Sequence, residues 1–152
     1  MILSIDPGGT TGVAIYESGQ FRSLEIPDGK AAFYRWFGGI TDSADLEDLT
    51  VVCESFTIPT ATASKSRQDD PYMILGYLSG WCLLHSVPLH VQSPGQAKSF
   101  STDSKLRRIG WYEGTKGGHA NDAARHLLVY LVTHRSDHSV EDLLATLALD
   151  LE

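Results

Sequence analysis

The chain has 152 residues, 42% apolar and 20% charged, an ordinary globular composition at single-domain length, enough to bury about two-thirds of its unfolded surface. A net charge of -7 excludes a uniformly basic nucleic-acid binder, and no apolar stretch reaches the roughly 18 residues of a membrane span. A strand starting at residue 2 leaves no room for a signal peptide, and Cys53 and Cys82, both in apolar runs, read as reduced core thiols of a cytoplasmic protein.

Residues 2–5 predict a buried strand that delivers Asp6 to its C-terminal tip, where Pro7, Gly8 and Gly9 turn the backbone away. Gly12 to Tyr16 and Phe21 to Ile26 predict two more strands around a hairpin turn at 17–20. Asp28 is placed to cap a helix over Ala31 to Phe37, which Gly38-Gly39 would end. Leu49 to Glu54 is a second buried strand, apolar without alternation, and it too ends in an acid. Ser55 to Gln68, rich in Ser and Thr without apolar period, predicts a mobile loop. Tyr72 to His85 predicts an apolar helix with Pro71 at its start, and Leu89 to Gln92 a last short strand. A short helix from Pro94 to Lys98 and a basic amphipathic segment from Thr102 to Ile109 follow. A glycine connector leads to a long helix, His119 to His134. Ser139 and Asp142 form a capping-box-like start for a C-terminal helix at 139–152. No linker divides the chain, so 1–152 is expected to form one domain.

The charge is unevenly spread. Residues 1–55 carry three Lys/Arg against nine Asp/Glu, residues 56–118 seven against four, and residues 119–152 two against six. Basic charge therefore gathers in the middle, where Lys65, Arg67, Lys98, Lys105, Arg108 and Lys116 are candidates for phosphate contact; a solvated surface is the plain alternative. Phe56, Trp111 and Tyr112 are able to stack on unpaired bases or simply pack in the core.

Asp6 and Glu54 end strands, and His119 and Asp122 share one face of the first turn of the long helix. Brought together, three carboxylates would repel and raise one another's pKa values. Divalent cations remove that problem, and hard oxygen ligands suit Mg2+ or Mn2+. Two such ions about 4 Å apart activate a water and stabilise a leaving phosphodiester oxygen. Each residue also has a structural reading: Asp6 as an Asx turn, Glu54 as a buried ion pair, Asp122 as a helix-start acid, His119 as a cap. His126, one turn further on the same face, reads as an interior residue or a support for a ligand.

Ile5-Asp6-Pro7-Gly8 with Gly12, Val52-Cys53-Glu54, and His119-Ala120-Asn121-Asp122-Ala123-Ala124 resemble, in order and spacing, the RuvC family of Holliday junction resolvases. The resemblance covers nearly the whole chain. It implies an α/β RNase H-like fold, a mixed five-stranded sheet, antiparallel over its first three strands, with helices on both faces. It further implies metal-dependent hydrolysis of branched DNA in recombination and repair, with two Mg2+ or Mn2+ ions held by Asp6, Glu54, His119 and Asp122. Products would carry a 5′-phosphate and a 3′-hydroxyl. A homodimer is implied as well, for which the helix from Pro71 to Val87, with Gly76 and Gly80, is the candidate element; packing on its own sheet is the alternative. Many members carry aspartate where His119 stands, which here would lower the negative charge and add a nitrogen ligand or proton shuttle. The Asp6 to Gly12 turn also resembles the phosphate loop of actin-like ATPases, which need two such domains, and a non-catalytic branched-DNA-binding module is the other alternative.

Overall fold

The computed structural model describes residues 1–56, 69–114, 116, 118–134 and 138–148. Lys65, Arg67 and most of the predicted mobile loop lie outside the described residues. The elements run β1 (Ile2–Asp6), β2 (Thr11–Glu17), β3 (Gln20–Ile26), α1 (Gly29–Asp42), β4 (Thr50–Glu54), α2 (Asp69–His85), β5 (Leu89–Gln92), α3 (Pro94–Phe100), α4 (Asp103–Arg108), α5 (Gly118–Thr133) and α6 (His138–Ala148).

All five strands join one sheet in the order β3-β2-β1-β4-β5. The first three strands pair antiparallel, and β4 and β5 continue parallel from β1. The sheet is mixed, as the resemblance implies. Because side chains alternate across a strand, β1 sends Leu3 and Ile5 to one face and Ser4 and Asp6 to the other. The first face, with Val13, Ile15, Val51 and Cys53, packs on Phe33 and Phe37 of α1 and on Ile74, Leu78 and Cys82 of α2. The second carries Ala14 and Tyr16 beneath Ala123, Ala124, Leu127 and Leu128 of α5, with Leu106 of α4 and Leu143, Leu144 and Leu147 of α6 completing that core. Helices thus cover both faces.

Small residues decide how closely α5 approaches. Ser4 is fully buried and its hydroxyl donates to the Ala123 carbonyl at 2.8 Å. A Cβ added to Gly12 would stand 1.9 Å from the His119 carbonyl oxygen, so glycine is required there. The helix start therefore lies directly on the sheet.

Three local expectations change. Helix α1 continues through Gly38 and Gly39 to Asp42. Neither glycine has anything near its Cβ position, while on either side of them Phe37 is buried in the core and Ile40 packs on it. Tertiary anchoring outweighs the glycines' poor helix propensity. Asp28 precedes this helix but makes no capping hydrogen bond: it sits at φ 72°, and the Gly29 N–H donates to the Gly9 carbonyl instead. The last helix begins at His138, which places Ser139 inside it rather than at its cap.

Both cysteines are buried free thiols, and burial pushes Cys53 far up and Cys82 up to about 11. Among the described residues no helix is long and apolar enough to cross a membrane.

Candidate metal centre

One cross-strand row organises the site. Glu25 of β3 faces Gly12 of β2, Gly12 faces Asp6 of β1, and Glu54 of β4 faces Gln92 of β5. Ile5 pairs with Cys53, so Asp6 and Glu54 are the next residues along two parallel neighbours. Both belong to the α5 face by strand alternation. The Pro7–Thr10 turn releases the chain just after Asp6, closed by the Thr11 hydroxyl donating to the Gly8 carbonyl at 3.2 Å.

The start of α5 lies across this row. Glu25 accepts the His119 and Ala120 N–H groups at 2.9 and 3.2 Å and so caps the helix with a carboxylate, the charge that a helix N-terminus favours. His119 Nδ1 lies 3.0 Å from Asp6 Oδ2. Asp122 faces Lys98 of α3, whose Nζ is 3.3 Å from Oδ2, and Arg125 one turn on, which donates to Oδ1. Arg125 also bonds Asp103 and donates from Nε to the Ser101 carbonyl at 3.0 Å, tying α3 and α4 to α5. His126, 1% exposed, reaches Glu54 Oε2 from Nε2 at 2.7 Å and Gln92 Oε1 from Nδ1 at 2.9 Å.

The electrostatics show that the acids sense one another. Burial pushes the Asp6 carboxyl above its ordinary value, and the like charges of Glu54 and Asp122 push it further. The hydrogen bond to His119 opposes this without cancelling it. His119 is raised in turn, chiefly by its bond to Asp6, against the cost of partial burial.

Among the described residues no three His, Cys, Asp or Glu side chains already close on a metal position. Asp6 is turned to His119, Glu54 to His126, and Asp122 to Lys98 and Arg125. The donor set nevertheless fits a hard divalent cation. It offers three carboxylates and an imidazole, and Asp6 is a buried acid whose charge its present partner does not fully offset. Binding an ion would exchange basic partners for it.

The predicted basic residues divide. Lys98 reaches the centre. Lys105 folds back, donating to the Phe100 carbonyl at 2.7 Å with its ammonium 4.1 Å from the centroid of that residue's ring. Lys116 is exposed in the connector and Arg108 is half-buried in α4. Trp111 is buried and stacks on Phe21 at 4.3 Å, so it is a core residue. Phe56 meets Tyr72 edge-on at 5.1 Å, and Tyr112 carries the Arg107 guanidinium at 4.2 Å. Glu25, Gln92 and Arg125 were not singled out by the sequence. Only the strand register and the helix position reveal them.

Sheet order, crossovers and helix placement define an RNase H-like α/β fold of the RuvC type. Thermus thermophilus RuvC in complex with a Holliday junction substrate is similar at a TM-score of 0.61 and 15% identity, over 88% of this chain and 94% of that one. A second Thermus thermophilus RuvC structure matches at 0.58 and 14%, over 88% and 96%. No protein-family model and no curated protein sequence matches the chain.

Proposed function

We propose that residues 1–152 form one nuclease domain, a metal-dependent, structure-selective DNA endonuclease acting on branched DNA and foremost a Holliday junction resolvase. The observation that carries the reading is that Asp6 and Glu54 end neighbouring parallel strands of a RuvC-like sheet, with the first turn of α5, which bears His119 and Asp122, lying over them. A fold alone does not require that arrangement, which costs stability unless a cation or substrate repays it.

In this reading Asp6, Glu54, Asp122 and His119 would hold Mg2+ or Mn2+. Such an ion would supply water activation and neutralise charge at the phosphodiester. His119 orients the Asp6 carboxylate through Nδ1. Lys98 has a side chain 58% exposed, so once released from Asp122 its ammonium is free to meet a phosphate. Lys65, Arg67, Lys105, Arg108 and Lys116 would extend phosphate contact along the strand, a role that for Lys105 requires it to leave Phe100. A homodimer is part of the proposal. Helix α2 buries Ile74, Leu78 and Cys82 against its own sheet, yet leaves Tyr72, Met73, Leu83 and Leu84 exposed. Both fates of this apolar helix are therefore open to it, one per face.

One observation favours the alternative of a non-catalytic branched-DNA-binding module: each candidate carboxylate already has a basic or imidazole partner. Labelled four-way junction, flap and linear duplex incubated with the protein in Mg2+ or Mn2+ separate the two. The nuclease reading expects metal-dependent cutting of branched substrates. Tight junction binding without cutting in either metal would establish the binding module instead.

A further inference from the structure

Glu54 and Asp6 both pair with an imidazole, but the ring that meets Glu54 is buried where that of His119 is half-exposed. His126 is among the largest fully enclosed side chains of the protein, yet it is an imidazole where leucine would fill the same core. Neither ring nitrogen is idle. Nε2 meets Glu54 Oε2 at 2.7 Å and Nδ1 meets Gln92 Oε1 at 2.9 Å. Glu54 and Gln92 are register partners on parallel strands, so one ring spans both and fixes them together. Nε2–H donates to the carboxylate, and the Gln92 amide serves Nδ1 as donor or acceptor by turning over. One Glu54 oxygen is thereby held from behind, and Oε1 has no hydrogen-bond partner among the described residues.

A glutamate has three side-chain torsions to fix, and a ligand left free would lose that freedom on binding an ion. A carboxylate held through one oxygen by a buried donor is already oriented, the arrangement that supporting residues provide around metal ligands. We propose that His126, backed by Gln92, is a positioning residue that presets Glu54 for a divalent metal ion. The proposal rests on the nuclease reading. A ring serving only to tie α5 to β4 would contribute stability but leave metal affinity unchanged.

The test measures Mn2+ binding by calorimetry on the full chain without DNA, alongside the unfolding midpoint of each variant. His126→Leu is expected to fold and to bind Mn2+ about 10–100-fold more weakly than wild type. His126→Gln, which keeps an N–H donor at the reach of Nε2, should recover part of that loss, and Gln92→Leu should show a smaller loss in the same direction. A folded His126→Leu with wild-type Mn2+ affinity overturns the positioning role. Should His126→Leu fail to fold, Gln92→Leu decides, and unchanged affinity there overturns the role equally. A wild-type protein that binds no Mn2+ defeats the nuclease reading and the positioning role together. Wild-type binding with unaffected variants defeats the positioning role alone.

Discussion

Gly12→Ala is the substitution that most directly probes how α5 meets the sheet. The Cβ it adds would lie 1.9 Å from the His119 carbonyl oxygen, 2.2 Å from its carbon and 2.9 Å from the Ala120 nitrogen. All three are backbone atoms, so no side chain is able to swing aside. Reaching an ordinary contact near 3.4 Å from 1.9 Å moves the helix start by about 1.5 Å. Overpacking of this kind costs about 1–3 kcal/mol. Replacing glycine also restricts the unfolded chain, which returns about 0.4–1 kcal/mol. The clash outweighs this by up to about 2.6 kcal/mol, and a midpoint lowered by up to roughly 10 °C follows for a chain of this size. On the nuclease reading His119 and Asp122 ride on the displaced turn, and a shift beyond 1 Å should lower metal-dependent junction cutting by about 100-fold. Gly39→Ala is the matched control: its Cβ enters open space within α1, and helix propensity predicts a gain of about 0.5–1 kcal/mol. Thermal unfolding followed by circular dichroism and cleavage of a labelled junction measure both effects. Gly12→Ala with an undiminished midpoint and undiminished cutting would refute the close approach of helix and sheet.

Glu25→Ala removes the carboxylate that caps α5 and should cost about 1 kcal/mol in urea unfolding, together with weaker Mn2+ binding as His119 loosens. In metal-free buffer, Asp6 and His119 both bind a proton more tightly folded than unfolded. Their stabilising contribution is fully present below the unfolded values of 3.8 and 6.5 and is lost as pH rises through the raised folded values. Wild type should therefore lose ground to Asp6→Asn as pH rises from about 5 to about 8, read as the difference between their unfolding midpoints. A flat difference, or one that grows in favour of wild type, would contradict that sign.

The strands and their acids were legible because burial leaves a plain mark. Ile2 to Ile5 and Val51 to Cys53 are apolar runs that end in Asp6 and Glu54, and the central strands of a covered sheet read that way. His119 and Asp122 were legible through helical spacing. Glu25 and Gln92 were not, because their meaning depends on register: each is an ordinary polar strand residue until pairing puts it in the row with Asp6 or Glu54. Arg125 carries no signal in sequence, yet it folds inward to bind Asp122, Asp103 and the Ser101 carbonyl. The continuation of α1 through two glycines was not legible for a related reason, since Phe37 and Ile40 on either side of them pack on the core. Local propensity cannot register a partner that is distant in sequence.

The central claim, that Asp6 serves a metal rather than the fold, is tested most directly by one paired measurement. Wild type and Asp6→Asn are assayed on the same labelled four-way junction, in Mg2+ or Mn2+, for cutting and for binding. Wild type should cut in a metal-dependent manner, and Asp6→Asn should bind the junction with little change while cutting is abolished. Equal cutting by both proteins, or none by wild type in either metal, would contradict it.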